Sequence, residues 1–442
     1  MEMLEKAQKM LEKHPLCDHC LGRQFALLGY GLDNQKRGQA LKLLLTMRGH
    51  QLALSRKKAG FSLLKTVATN GSFDMAIEIL RKMKKRGGKK EECYLCQGQF
   101  THLEELVERA LGNLAPYEHT TFLVGIELPR NIEEREDEFK AEFEVRHGES
   151  MRNEFSRDIG KEISEITKKV AEYKKPDVVV LLNPFTCQVT LQANPLYFEG
   201  RYRKLIRGIP QSKWVCRKCR GKGCPKCNST GKMYAESVEE IIGGPALEKT
   251  EGEDISFHAA GREDVDARML GPGRPFIVEI KKPKRRFIDL QALTHTIDSQ
   301  ARGKVEVLDL RFAGKDDIRK LKTAEASEKV YRVTIECGSD ISDEELETVE
   351  KTFTKTLVRQ QTPLRVLHRR ADLTREKYIY EAKIKRLTPN SAEMRIRCQG
   401  GLYIKELITG DEGRTDPSVA KVINTEAKHL DLDVLDVVVR EF

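Results

Sequence analysis

The chain has 442 residues and carries 78 Lys and Arg against 68 Asp and Glu, a formal net charge of +10. This length is too great for one ordinary hydrophobic core, so we expect two to four domains. No apolar run reaches the roughly 18 residues that a membrane helix needs, and the amino-terminal residues lack the pattern of a signal peptide. The sequence therefore argues against a membrane protein and predicts a cytoplasmic one.

The positive excess suits a polyanionic partner such as nucleic acid, although a mildly basic solvated surface gives the same net charge. The chain also contains eleven cysteines. Without a signal peptide, they predict a reducing compartment in which paired cysteines bind metal instead of forming disulfides. Most of them fall into four Cys-x-x-Cys pairs, and these pairs mark the domain plan.

Residues 1–115 are predicted to form a helical region, because their apolar residues recur at helical spacing. The region contains two of the pairs, Cys17 with Cys20 and Cys93 with Cys96. We expect the four thiolates to close one discontinuous zinc site that holds the helices together. The alternatives are two unrelated reduced pairs or a redox motif, but a redox motif would require a thioredoxin-like strand–helix–strand setting.

Residues 116–214 show a different pattern, in which short apolar runs predict strands on either side of a charged helical stretch at 133–173. This indicates a small α/β unit. Its last part, 194–208, interleaves basic and aromatic residues, which can contact phosphates and stack on bases. An amphipathic connector with solvated charges would have the same composition. The RNA-binding candidates here are Arg201, Tyr202, Arg203 and Lys204.

Residues 215–233 are predicted to be a compact hinge with four cysteines, namely Cys216, Cys219, Cys224 and Cys227. Two adjacent Cys-x-x-Cys knuckles can present four sulfur atoms as a tetrahedron, which is the geometry of structural zinc. Because four protein ligands leave no open coordination position, this zinc would be structural and not catalytic. An iron–sulfur cluster is the alternative at this site.

Residues 234–442 alternate between strand-like and helical patterns, which predicts a mixed α/β domain with a helix over 343–357. A Gly-Arg-Glu-Asp tetrapeptide at 261–264 lies in a loop that is followed by a probable strand. A second basic cluster lies at 362–370 and suits a clamp on a nucleic-acid backbone, or equally a solvated strand edge. Its candidates are Arg365, His368, Arg369 and Arg370.

Five segments of the chain, in this order, match one family: residues 17–25, 200–204, 261–276, 361–370 and 403–417. Together they resemble the archaeal and eukaryotic tRNA pseudouridine synthases that act on uridines 54 and 55 of the TΨC arm. The resemblance implies a mixed α/β catalytic domain without an organic cofactor, and tRNA as the partner. It also implies a THUMP-type RNA-binding domain that ends near 200–204, and a zinc-binding amino-terminal region.

The same resemblance implies the roles of individual residues. Asp264 would be the aspartate that detaches uracil from C1′ and rejoins it through C5. Tyr331 would stack on the flipped base, and Lys405, two residues after Tyr403, would pair with the aspartate in place of the commoner arginine. These roles agree with general chemistry, because a nearby cation keeps a carboxylate ionised and an aromatic face suits an unstacked base.

A leucine that packs near the base would fall at Leu432, with Leu430 as a close rival. Arg262 would contact phosphate or occupy the space that the flipped base leaves. Tyr378 and Tyr380 are alternative candidates for the stacking tyrosine. The alternative interpretation of Tyr331 is a half-buried strand residue without a role in base stacking.

Two other aspartates compete with Asp264. Asp266 lies two residues further on, and we expect it to be a structural acceptor for Arg268. Asp416 ends a second tetrapeptide, Gly-Arg-Thr-Asp, but it follows the Tyr-Ile-Lys segment, and we expect it to cap a helix over 418–424.

The sequence as a whole predicts a multidomain, mixed α/β tRNA pseudouridine synthase. A non-catalytic zinc- and THUMP-containing RNA chaperone or scaffold is the alternative. A THUMP-bearing methyltransferase or thiolation enzyme is disfavoured, because we find neither a Gly-rich cofactor loop nor a phosphate-binding P-loop. The sequence does not specify whether position 54, position 55 or both are modified. It does not specify the oligomeric state either, and a monomer is one of the possibilities.

Overall fold

The computed structural model describes residues 3–323 and 327–438, with the backbone alone at Arg369. They divide between two compact units, Met1–Asn194 and Pro195–Phe442. Each unit combines helices with a sheet, which confirms the predicted mixed α/β multidomain fold. None of the helices in these described ranges is both long enough and apolar enough to cross a membrane.

The first unit begins with six helices: α1 (Met3–Lys13), α2 (Asp18–Arg23), α3 (Asn34–Leu54), α4 (Lys58–Thr69), α5 (Asp74–Lys82) and α6 (Leu103–Leu114). Helices α2 and α3 pack backbone against backbone at two glycines. A β-carbon on Gly22 would lie 1.9 Å from the carbonyl oxygen of Asn34, and one on Gly38 would lie 2.0 Å from that of Asp18. No side chain fits at either position, so the glycines fix the approach of these helices.

The sheet of the first unit has the order β2-β1-β3-β4, with β1 parallel to β2 and β3 and β4 antiparallel to β3. Two helices connect β1 to β2. The strands are β1 (Thr121–Ile126), β2 (Val170–Ala171), β3 (Val178–Asn183) and β4 (Gln188–Ala193), and the helices are α7 (Arg130–Glu142) and α8 (Met151–Thr167).

The helical part and the sheet of this unit share one hydrophobic core, which runs from Ala7 to Leu182. Phe100 stacks on Phe155 of α8 with ring centroids 4.0 Å apart. The buried guanidinium of Arg23 pairs with two carboxylates of the α/β part, Glu136 at 3.1 Å and Glu154 at 3.0 Å. The sequence indicated two regions here, divided at 115, whereas the structure packs them into one body.

The second unit contains a ten-stranded sheet with the order β13-β10-β11-β12-β9-β14-β7-β5-β8, and β6 pairs with β7 beside this path. Neighbouring strands are antiparallel except for β14 and β7 at the centre, which are parallel. The strands are β5 (Leu196–Lys204), β6 (Asp254–Ala259), β7 (Ala267–Lys281), β8 (Val305–Ala313), β9 (Lys329–Cys337), β10 (Thr356–Gln361), β11 (Thr374–Thr388), β12 (Ser391–Cys398), β13 (Thr415–Asp416) and β14 (Ala427–Val437).

Helices cover this sheet and form two hydrophobic cores with it. They are α9 (Val238–Thr250), α10 (Leu290–Ala301), α11 (Lys315–Thr323), α12 (Asp343–Phe353), α13 (Ile404–Thr409) and α14 (Val419–Val422). Tyr331 on β9 packs against both cores, so it lies at the seam between the two halves of the sheet. The helix expected over 343–357 ends at Phe353, because β10 begins three residues later.

Strand β5 corrects the sequence interpretation of residues 194–208. We expected this segment to end the first α/β unit and to face RNA, but it is hydrogen-bonded on both edges, to β7 and to β8. An inner strand buries alternate side chains, and Tyr202 and Lys204 are completely buried. The compact units therefore divide between Asn194 and Pro195 and not at 214.

Candidate active site

The tetrapeptide at 261–264 lies in the loop between β6 and β7, at the centre of the large sheet. Gly261 has a φ of +74°, a left-handed conformation that side chains other than glycine rarely adopt. Its carbonyl oxygen accepts a hydrogen bond from Gln211 Nε2 at 3.0 Å. The loop then presents Asp264 at the mouth of a cleft, with about a third of its side chain exposed.

One oxygen of Asp264 is held by two cations. Lys405 Nζ lies 3.2 Å from Oδ2, and Arg365 Nη2 lies 3.4 Å from the same atom. Among the described residues, no donor makes a hydrogen bond to Oδ1. The closest approach of both cations is to Oδ2, so Oδ1 has no hydrogen-bond donor that a substrate would have to displace.

Each of these cations binds a second carboxylate more closely. Lys405 Nζ lies 2.6 Å and 2.7 Å from the two oxygens of Asp266, and Arg365 Nε donates to Glu406 Oε1 at 2.6 Å. Five charges of alternating sign therefore form a chain with Asp264 at its centre. Burial opposes the effect, but the hydrogen bond and charge of Lys405 lower the pKa of Asp266. Similarly, Glu406 raises the pKa of Arg365 against its burial.

The cleft in front of Asp264 has a volume of about 280 Å³. Tyr331 lines it, and burial followed by the neighbouring Cys398 raises the pKa of this phenol far above its ordinary value, so it stays protonated at neutral pH. Leu432 lines the cleft as well, whereas its rival Leu430 is 55% exposed and does not. An aromatic ring and a branched apolar side chain next to a carboxylate suit a flat pyrimidine base.

Basic side chains dominate the rest of the cleft. Tyr403 is among the lining residues, and its hydroxyl accepts a hydrogen bond from Arg370 Nη1 at 2.9 Å. Seven cations line the cleft against two carboxylates, which suits a phosphodiester backbone. The cations are Arg262, Lys329, Arg365, Arg370, Arg375, Lys377 and Lys405.

Among the other candidates of the second basic cluster, His368 is exposed and does not line the cleft. The side chain of Arg369 lies outside the described residues. Arg365 was expected to clamp RNA, but the structure places its guanidinium on Asp264 and Glu406. Tyr378 and Tyr380 pack edge-to-face on each other and lie outside the cleft.

Two residues of β5 that we expected to face RNA instead make hydrogen bonds to the loop at 261–264 or to residues beside it. The Tyr202 hydroxyl donates to Glu263 at 2.9 Å, and Arg274 Nε donates to the same carboxylate at 2.9 Å. Lys204 Nζ donates to the carbonyl oxygens of Ile209 and Asp264 at 2.9 Å and 3.0 Å. Burial lowers the pKa of Lys204, and burial together with Glu263 raises the pKa of Tyr202.

Arg201 and Arg203 are also held within the protein. Arg201 donates to the carbonyl oxygens of Pro272 and Gly273, and Arg203 donates to that of Gly271 and pairs with Glu306. These bonds tie β5 to the turn in β7. Tyr202 and Lys204 are completely buried, which corrects their assignment to an RNA-binding surface. Arg201 and Arg203 are partly exposed, and their assignment as RNA contacts stays a prediction.

The two rival aspartates have structural partners. Asp266 pairs with Lys405, while Arg268, its expected partner, binds Asp433 instead. Asp416 lies in β13, outside the cleft, and pairs with Lys421 at 2.7 Å. It does not cap the following helix, since the Ser418 side chain accepts the hydrogen bond from the Lys421 amide.

Both predicted cysteine tetrads come together, the first from Cys17, Cys20, Cys93 and Cys96 and the second from Cys216, Cys219, Cys224 and Cys227. In each tetrad the four sulfur atoms lie within 4.8 Å of one another. The separation between Cys17 and Cys96 is 3.6 Å, and that between Cys216 and Cys224 is 3.9 Å. A tetrahedron of thiolates about 2.3 Å from a metal requires sulfur atoms about 3.8 Å apart, so both tetrads fit a metal ion.

Comparison with known proteins identifies the family. The family described as "Pus10, C-terminal" matches residues 197–438, and the one described as "Pus10 THUMP domain, archaeal" matches residues 106–183. A protein named tRNA pseudouridine synthase Pus10 from Methanocaldococcus jannaschii is 45% identical over 437 residues, covering 97% of this chain and 93% of its own length. This chain belongs to the Pus10 family. Another Pus10 protein, from Methanothrix thermoacetophila, is 41% identical and covers 99% of this chain and 94% of its own length.

Membership of the Pus10 family makes the protein an isomerase, a pseudouridine synthase. The Pus10 THUMP match ends at 183, and the Pus10 C-terminal match begins at 197, within β5. The end of the THUMP-like region that we expected near 200–204 therefore lies earlier in the chain. This agrees with the hydrogen bonds that place β5 in the sheet of the second unit.

Sequence reasoning missed several groups at this Pus10 site. Glu406, which pairs with Arg365, follows Lys405 directly in the sequence but belongs to no motif that would indicate this role. Glu263, which binds Tyr202 and Arg274, occupies the position of the tetrapeptide that we regarded as variable. Arg274 lies in a largely buried part of β7 and binds the buried carboxylate of Glu263. A charged residue within an otherwise apolar strand was the one sequence signal of such a pair.

Proposed function

We propose that this protein converts uridine to pseudouridine at position 54, position 55 or both in the TΨC arm of tRNA, with Asp264 as the catalytic carboxylate. One observation carries the proposal: Lys405 and Arg365 approach Asp264 most closely at Oδ2, and no described residue donates a hydrogen bond to Oδ1, beside a cleft lined by Tyr331 and Leu432. We therefore propose that Oδ1 is the reacting atom.

The reaction breaks the C1′–N1 bond of uridine, joins C1′ to C5, and moves a proton from C5 to N1, so reactant and product have the same composition. It needs no oxidant, reductant or organic cofactor. Asp264 acts as nucleophile or base, and the two cations fix its position. Tyr331 stacks on the uracil, Leu432 packs against it, and Arg262 contacts the backbone beside it, since the base must leave its stack before it can react.

We propose that the RNA reaches this cleft along its basic rim, where Arg370 contacts phosphate together with Tyr403. Exposed His368 and the neighbouring Arg369 extend the same basic segment of sequence, and we keep both as RNA contacts. The THUMP region would grip the rest of the tRNA, as the names of the related proteins suggest. A cytoplasmic location fits a protein with reduced, metal-binding cysteines.

We further propose zinc as the metal in both tetrads. Zinc accepts four thiolates in a tetrahedron. In the second tetrad, the amides of Gly223 and Gly231 donate to the sulfur atoms of Cys219 and Cys227 at 3.2 Å and 3.3 Å, the kind of outer hydrogen bond that stabilises bound thiolates. With all four positions filled by protein, the ion has a structural role. It supplies folding free energy to each segment and takes no part in the isomerisation.

The test uses unmodified tRNA with tritium at C5 of uridine, because the reaction releases this hydrogen to water. Transcripts that keep uridine only at 54 or only at 55 identify the position. We expect release with the wild-type protein and a rate at least about 10³-fold lower with Asp264→Asn, without loss of tRNA binding. The matched control is Asp416→Asn, which changes the other Gly-Arg-x-Asp tetrapeptide and should release label normally.

Two outcomes would contradict the proposal. Retention of label by the wild-type protein, with tRNA still bound, would leave a role as an RNA-binding scaffold. Undiminished release by Asp264→Asn would remove Asp264 from the reaction.

A further inference from the structure

A second cavity, of about 180 Å³, lies beside the first and shares the catalytic loop with it. Arg262, Glu263 and Asp264 line both cavities, together with Arg365 and Lys405. The uracil of the target uridine occupies the first cavity in the proposed function. Nothing in that proposal uses the second one, although it borders the same reacting aspartate.

One wall of the second cavity is the segment 210–214, and hydrogen bonds hold it to β5, to the loop at 261–264 and to α9. Gln211 Nε2 donates to the Tyr202 hydroxyl at 2.7 Å and to the Gly261 carbonyl oxygen. The carbonyl oxygen of Pro210 accepts from the amide of Val238 at 3.1 Å, at the start of α9. The wall is therefore preformed relative to the catalytic loop, as a binding site requires.

The wall ends in Trp214, the one tryptophan of the sequence. Its ring is half-buried and packs edge-to-face on Tyr234 with centroids 5.5 Å apart, which fixes its orientation. Its carbonyl oxygen accepts a hydrogen bond from Met233 at 2.9 Å. A fixed indole ring at the side of a polar cavity is a stacking surface for a nucleobase, whichever base it is.

Charge around this wall favours a nucleic-acid ligand. The segment 213–232 carries seven Lys or Arg and no Asp or Glu. Arg262 is exposed and borders both cavities, and no described residue gives it a hydrogen bond or an ion pair. A guanidinium at this junction is suited to the phosphate that joins two nucleotides.

We propose that the second cavity binds the base of the nucleotide adjacent to the target uridine, stacked on Trp214, while Arg262 contacts the phosphate between them. The inference rests on the proposed function and deepens it, because it makes the site a reader of two consecutive unstacked nucleotides. Asp264 then lies between two anchored bases, which fixes the target ribose against its carboxylate.

The test uses a TΨC stem-loop RNA with one target uridine, tritiated at C5, and two further RNAs with an abasic site on its 5′ or 3′ side. With intact RNA, we expect Trp214→Ala and Trp214→Leu each to lower kcat/KM by about 10- to 100-fold, whereas Trp214→Phe keeps most of it. With one of the abasic RNAs, the wild-type protein should show a similar loss, and Trp214→Leu should add less than twofold to it.

The matched control is Phe287→Ala, which removes an aromatic side chain that is 65% exposed and lines neither cavity. It should leave kcat/KM unchanged on all three RNAs. Trp214→Leu keeps an apolar side chain in the wall, and its metal content and Tm show whether the fold is intact. A neutral methylphosphonate between the two nucleotides should abolish most of the difference between wild type and Arg262→Gln.

The inference is overturned if Trp214→Leu retains full activity, or if its whole loss persists on both abasic RNAs. An undiminished effect of Arg262→Gln on the methylphosphonate RNA would overturn the phosphate contact. Failure of the proposed function looks different, since the wild-type protein would then release no label from intact RNA.

Discussion

The guanidinium of Arg365 bridges Glu406, 2.6 Å from its Nε, and the catalytic candidate Asp264, 3.4 Å from its Nη2. Glu406 is buried, and its second oxygen, Oε2, has no hydrogen-bond partner among the described residues. A buried carboxylate with an unsatisfied oxygen is costly unless a cation stays beside it. Glu406 therefore holds Arg365 in place, and Arg365 in turn positions Asp264.

Replacement of Glu406 by Gln should lower kcat for tritium release by about 10- to 100-fold, with a much smaller change in KM and in tRNA affinity. An amide attracts the guanidinium less than a carboxylate does, so Asp264 loses a fixed partner, while the RNA-binding rim is untouched. Single-turnover and binding measurements separate the two effects. Exposed Glu412→Gln is the control, and an equal loss in both variants would refute the positioning role.

Lys204 should behave as a folding residue and not as an RNA contact. Lys204→Met removes hydrogen bonds to the carbonyl oxygens of Ile209, Asp264 and Val265. We therefore expect the free energy of unfolding to fall by about 1–3 kcal/mol. Urea denaturation measures this change. The dependence of tRNA affinity on salt should stay the same, whereas Arg370→Gln should make it shallower by about one phosphate contact. A shallower slope in Lys204→Met would restore its sequence-based assignment.

Asp433 should contribute stability that is lost in acid. It is buried among three arginines, and although burial opposes this, hydrogen bonds from Arg268, Arg332 and Arg207 hold the pKa of its carboxyl far below the usual range. A carboxyl with a lowered folded-state pKa stabilises the protein above its unfolded pKa of about 3.9 and stops doing so as the pH falls.

Asp433→Asn should therefore lower the free energy of unfolding by about 2–4 kcal/mol at pH 7. The difference from wild type should shrink steadily below about pH 4. Denaturant titrations at several pH values measure it. Asp431 provides the control, because it is mostly exposed and Arg207 is its one ion-pair partner within 3–323 and 327–438. Asp431→Asn should cost less than about 1 kcal/mol, and a pH-independent effect of Asp433→Asn would contradict the ion-pair explanation.

Each cysteine tetrad should bind its metal independently. Elemental analysis of the purified protein should give about two zinc ions per chain, and Cys20→Ser or Cys219→Ser should each reduce this to about one. Cys187→Ser, which changes a cysteine outside both tetrads, should leave the content at two. Iron in the preparation would favour the cluster alternative, and a single zinc in the wild type would contradict the discontinuous site.

Much of this arrangement was predictable because it depends on local sequence. The second cysteine tetrad lies within twelve residues, so its spacing alone indicates a metal site. The order of the tetrapeptide, Tyr331 and Tyr403-Ile-Lys405 distinguished Asp264 from Asp416, and the structure brings these residues to one cleft. The sequence also predicted that a strand follows the tetrapeptide loop, and β7 begins three residues after Asp264.

The sequence by itself indicated helical and strand-like segments, four Cys-x-x-Cys pairs and the aspartate that stands first in the motif order. Only the tertiary structure decided what each charge does. In the sequence, Lys204, Arg203 and Arg365 are basic residues like those that contact RNA, because composition does not record which strands become neighbours. Once β5 lies between β7 and β8, Lys204 is removed from water and must find carbonyl oxygens inside the protein. Once α13 places Glu406 under Arg365, a candidate phosphate clamp becomes part of the charge chain around Asp264.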